Sequence, residues 1–155
     1  LAPRAEVDLG LCFYFSRERL AQSMPEARLG PALQQLLARL DDELERTRKV
    51  ALAEFANLAP EEKTVAFDRL MERAEGAPRG NAMKSAVEIA AADATLVPEF
   101  AQRLARIAPA NVPQPLVLGF GIQFKPMPDE VTSLLEAWAA SGAPVAAAAK
   151  AALKK

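Results

Sequence analysis

Pro115-Leu-Val-Leu-Gly-Phe-Gly-Ile-Gln-Phe-Lys125 decides how the chain is read. Its apolar residues alternate. Leu116, Leu118, Phe120, Ile122 and Phe124 fall on one side of an extended ribbon, and Val117, Gly119, Gly121, Gln123 and Lys125 on the other. One other stretch, Glu6 to Ser16, reads the same way, with Val7, Leu9, Leu11, Phe13 and Phe15 on one side. The two ribbons lie near opposite ends of the chain, with helical sequence between them. The pattern predicts an α+β fold, in which five to seven helices, including a long helical hairpin, pack on a small antiparallel sheet made of these two strands. An isolated two-stranded sheet is marginal in water, and its edges accept further strands. That combination predicts a protein partner or a homodimer that continues the sheet.

Working outward, the chain of 155 residues has the length of one domain, and the expectation is a single domain over 1–155. It is 51% hydrophobic and 25% charged, a globular composition. A formal net charge of -1 is not the basic footprint of a nucleic-acid binder, so no nucleic acid is expected. The longest apolar runs fall far short of the roughly 20 residues that cross a bilayer. The reading is a soluble protein, cytoplasmic or periplasmic, and Ala- and Arg-rich usage suggests a bacterial gene. The single Cys12 excludes an internal disulfide.

The chain has no histidine. This removes His-based triads, His general bases and nearly all zinc and haem sites. No metal, cofactor or catalytic residue is assigned.

Between the ribbons, Ser23-Met-Pro-Glu reads as the start of a short helix that ends at Gly30. Pro31 opens a long helix to about Leu58, with Leu33, Leu36, Leu37, Leu40, Leu44, Thr47, Ala51, Phe55 and Leu58 along one stripe. From Asp41 to Lys49 only Leu44 is strongly apolar, while Asp42 with Arg46 and Glu45 with Lys49 are spaced for ion pairs. A stripe that narrow implies a helix that projects or meets a partner along a seam. Pro60-Glu-Glu starts the second arm of a helical hairpin, stopped by Gly76 and Pro78. Further helices are expected from Asn81, from Pro98 and from Pro128, where Val131, Leu134, Leu135 and Trp138 repeat at helical spacing. The Ala-rich tail from Val145 has little to bury and is expected to fray or lie against a neighbour.

Two surfaces carry the functional expectation. Leu40, Leu44 and Thr47 form the helix seam, and Tyr14 and Val117 stand on the outer side of the ribbons. Together they describe a non-catalytic interaction protein: an adaptor, an assembly or secretion chaperone, or an inhibitor or immunity-type factor. The alternative is a small enzyme or ligand-binding domain. It would use a sheet face carrying Asp8, Cys12, Tyr14, Gln123 and Lys125, or an anion site at a helix start with Arg79, Asn81, Lys84 and Ser85. The run Gly76-Ala-Pro-Arg-Gly-Asn-Ala-Met-Lys-Ser85 is not a P-loop, because its glycines are too close and Lys84 does not follow the second one. Gly119-Phe-Gly121 lacks the third glycine of a dinucleotide fingerprint.

Overall fold

A computed structural model describes residues 30–154. Among the described residues eight α-helices follow one another: α1 (Pro31–Leu40), α2 (Glu45–Ala56), α3 (Pro60–Gly76), α4 (Asn81–Ala92), α5 (Val97–Leu104), α6 (Gln114–Gln123), α7 (Asp129–Ala139) and α8 (Val145–Leu153). Short 3-10 turns occupy Ala94–Leu96 and Pro109–Asn111. There is no strand among the described residues. The α+β expectation is therefore wrong for this part of the chain, and the case for a partner that completes an open sheet falls with it. The other ribbon, Glu6 to Ser16, and the short helix before Gly30 lie outside the described residues.

The stretch from Pro115 to Lys125 misled because it satisfies two periods at once. From Leu116 to Ile122 every residue is apolar or glycine. Alternation is present, but so are Val117, Phe120, Gly121 and Phe124, spaced i, i+3, i+4 and i+7. Those four are the buried positions. Pro115 sits in the first turn, where its fixed φ favours a helix and its missing N–H is not needed. A single aromatic cluster then holds α6. Phe120 meets Phe100 of α5 and Phe124 edge-on, with ring centroids 5.9 and 5.6 Å apart, and lies 6.2 Å from Trp138 of α7. Trp138 thus anchors its helix against α6 rather than against a sheet.

The expected long helix is broken. Asp41 to Leu44 separate α1 from α2, which fold back on each other. Asp42 explains part of the break. Its Oδ1 accepts from the Leu44 N–H at 2.8 Å, a local turn that competes with helix. Of the two expected ion pairs, Glu45 with Lys49 forms at 3.9 Å. Arg39 forks onto Glu54 and ties α1 to α2, with one N–H···O at 2.9 Å, and these bonds hold the Glu54 carboxyl below its ordinary pKa.

The remaining helices start close to where the sequence places them. In α3, Glu62 reaches back to accept from the Ala59 N–H at 3.4 Å. The tail does not fray. Val145, Ala148, Ala149 and Ala152 of α8 are buried, and the helix packs on α6 and α7. Alanine suits this because a methyl side chain lets helices approach closely with no side-chain entropy to lose. No helix among the described residues is long and apolar enough to cross a membrane.

One charged cluster is built into the fold. Arg103 of α5, 8% exposed, donates from Nε and Nη2 to Glu75 Oε2 at 3.2 and 2.9 Å and from Nη1 to Asp68. Burial opposes its charge, but the bonds to Glu75 and Asp68 outweigh that and hold its pKa above the ordinary value. Glu99 lies 3.5 Å away, and its pKa is raised, first by burial and then by the Asp68 charge.

Two outcomes follow. Gly119→Ala should stabilise the protein by about 0.5–1 kcal/mol, because the position is helical, whereas Phe120→Ala should cost about 3–5 kcal/mol; urea unfolding measures both. For Glu99 the sign is set by its raised pKa. The folded state favours the neutral acid, so the stability this group contributes is full below its ordinary pKa and is lost as pH rises through the folded value. Glu99→Gln should therefore be more stable than the parent at pH 7 and no better below the carboxylate range, by paired denaturation curves at the two pH values.

Candidate functional site

The start of α4 is the structural centre of the site. Four N–H groups at a helix start lack partners within the helix. One of them, on Ala82, donates to Asp41 Oδ1 at 3.0 Å, so a carboxylate from the α1–α2 corner occupies the position. The relation is reciprocal. Ser85 of α4 is fully buried, and its hydroxyl donates to the Leu40 carbonyl at the end of α1, at 2.6 Å. Arg48 of α2 completes the clasp. Its Nη1 donates to the carbonyls of Asp42 and Glu43 at 2.8 and 3.0 Å and to Asn81 Oδ1 at 3.4 Å.

This settles where the expected anion-site residues lie. Arg79, Asn81, Lys84 and Ser85 do gather at the start of α4, but they do not form one pocket. Ser85 is committed to the core, Asn81 to Arg48, and the helix start to Asp41. Arg79 and Lys84 remain exposed and make no hydrogen bond or ion pair among the described residues.

Those two cations face a cleft of about 390 Å³ between α4 and α6. Met83, Val87 and Leu116 give it an apolar lining, and Pro113 and Pro115 form one end. Arg48, 9% exposed, reaches the cleft from below, and its Nε is buried without an acceptor. The one carboxylate on the lining, Glu88, is paired with Lys49 at 3.5 Å. Gly119 forms part of the α6 wall, and a Cβ built there would meet nothing within 4 Å. The volume is within the range of ligand clefts, roughly 300–1,000 Å³. An apolar lining under three cations suits a ligand that is both apolar and anionic.

On the outer edge of the same wall, Leu118 and Ile122 are 42% and 63% exposed. They are spaced i, i+4, and Ile122 is three residues from Gly119, so they form an apolar strip along the rim. The expected interaction residues fare unevenly. Leu40 and Val117 are fully buried and belong to the core. Leu44 is 62% exposed at the start of α2, and Thr47 is half-buried beside it. Tyr14, Asp8 and Cys12 lie outside the described residues. The expected face that would join them to Gln123 and Lys125 is lost, because Gln123 ends a helix and Lys125 lies just beyond it. Sequence reasoning misses Leu118 and Ile122, which alternation turns inward, and Arg48, which no local signal sets apart from its charged neighbours.

The clasp makes a stability test. Ser85→Ala leaves the Leu40 carbonyl buried without its donor and should cost about 1–3 kcal/mol. Asp41→Ala should cost about 1 kcal/mol through the helix start. The two losses should not add, since both residues serve one corner; a double-mutant cycle by chemical denaturation measures the coupling. In comparisons with known proteins, no family model, no curated protein and no solved structure matches the chain.

Proposed function

We propose that this protein is a non-catalytic binding module that docks a partner protein through the α4–α6 face. The observation that carries the reading is the contiguous pairing of an apolar strip, Leu118 and Ile122, with a cleft whose two exposed cations, Arg79 and Lys84, have no partner among the described residues. Exposed aliphatic residues are ordinary when single, but a strip that borders an apolar cleft marks an interaction site. Leaving Arg79 and Lys84 unpaired there favours recognition over stability, because neither contributes to the fold by an ion pair. The lining contains no hydroxyl, thiol or phenol, so it offers no nucleophile apart from the Lys84 amine. With no histidine in the chain, the usual proton-transfer partner is also lacking. A binding role uses every feature of the face, and a catalytic role would leave the strip without purpose.

A photo-crosslinking residue placed at Ile122 in the source cell tests this. A discrete protein adduct is expected from Ile122, reduced by Leu118→Asp and absent when the same residue is placed at exposed Glu136 on α7. No adduct at Ile122, or the same adducts from both positions, would overturn the proposal.

A further inference from the structure

The cleft itself narrows the chemistry of what it receives. Three of its features point one way. First, the charge is one-sided: Arg48, Arg79 and Lys84 line the space, and the only acid among the described lining residues, Glu88, is paired with Lys49 at 3.5 Å. In a chain of net charge -1 this is a local excess, not a reflection of composition. Second, Arg48 is more than nine-tenths buried, and all three of its side-chain hydrogen bonds among the described residues are made by Nη1. Its Nε has no acceptor, an arrangement that costs free energy unless a ligand's field or a relayed bond offsets it. A carboxylate in the cleft supplies that field at short range, in a setting partly screened from water. Third, Gly119 sits within a helix, where glycine is about 1 kcal/mol worse than alanine. Nothing among the described residues requires it, since a methyl group there would meet none of their atoms within 4 Å. A helical glycine on a cleft wall admits close approach by another chain.

We infer that the α4–α6 cleft is a peptide groove whose occupant is an acidic, aliphatic segment of a partner protein. The segment lies across Gly119, seats an aliphatic side chain on Met83, Val87 and Leu116, and presents a carboxylate to Arg48, Arg79 and Lys84. This rests on the reading of the protein as a binding module. A peptide fits better than a small free anion because the cations and the apolar strip extend the contact beyond the cleft, along Leu118 and Ile122. Binding weakens as salt rises, since Arg79 and Lys84 are exposed to solvent.

Fluorescence anisotropy on the full chain tests the groove with four probes: a short labelled Leu/Glu peptide, its Leu/Lys counterpart, a Gly/Glu peptide, and octanoate as unlabelled competitor. The Leu/Glu peptide should bind, and the Leu/Lys and Gly/Glu peptides should each bind at least about tenfold more weakly. Gly119→Phe, which fills the cleft, should weaken Leu/Glu binding at least about tenfold. The double variant Arg79→Glu, Lys84→Glu changes only exposed side chains and should do the same, so the test survives if Gly119→Phe fails to fold. Equal binding of the Leu/Lys peptide, no loss in the double variant, or no binding of the Leu/Glu peptide at millimolar concentration would overturn the groove. Octanoate that binds as tightly as the peptide would also overturn it, in favour of a small-molecule site. An adduct from Ile122 with no acidic-peptide binding would leave the module standing and remove the groove alone.

Discussion

The corner between α1 and α2 and the start of α4 hold each other in place, and the rest of the arrangement depends on that exchange. Asp41 gives a carboxylate to the exposed donors of α4. Ser85 gives a hydroxyl proton to the last carbonyl of α1. Arg48 then gathers the carbonyls that the helix break leaves without internal partners. Each bond is modest by itself, near 1 kcal/mol net. Their effect is geometric: they convert one long helix into two that reverse direction, and they set α2 beside α4.

The cleft is a consequence of this placement and of α6 being a helix. The aromatic cluster of Phe100, Phe120, Phe124 and Trp138 fixes the inner side of α6. The opposite side is left uncovered by the described residues, with Leu118 and Ile122 exposed, although α6 is apolar almost all round. What is left over becomes the strip and the cleft wall. The exposed apolar surface is thus the remainder of a helix whose sequence has no polar face to offer water.

Much of the helical layout was legible. Pro60 with Glu61 and Glu62, the repeat Val131, Leu134, Leu135 and Trp138, and the stop at Gly76 each have a local cause, and each appears where that cause puts it. The failures share a different origin. Leu116 to Ile122 carries both periods, so only contact with α5 and α7 decides between them. The Asp41–Leu44 break depends on partners, Ala82 and Ser85, that lie some forty residues on and are silent in a local reading. The α8 packing was missed because alanine looks weakly apolar in sequence, yet its small size is what lets a helix sit close. For the same reason the candidate site was half visible. Arg79 and Lys84 stood out as charges near a helix start, but the wall that faces them belongs to the stretch that was read as a strand.

Trp138 is the chain's single tryptophan, it is 2% exposed, and its ring lies 6.2 Å from Phe120 on the inner side of α6. The chain's one indole emitter is therefore seated directly behind the helix whose outer side forms the cleft wall. Any event that tilts or loosens that helix must alter the surroundings of this chromophore. The protein carries its own optical gauge of the α4–α6 face, with no label attached.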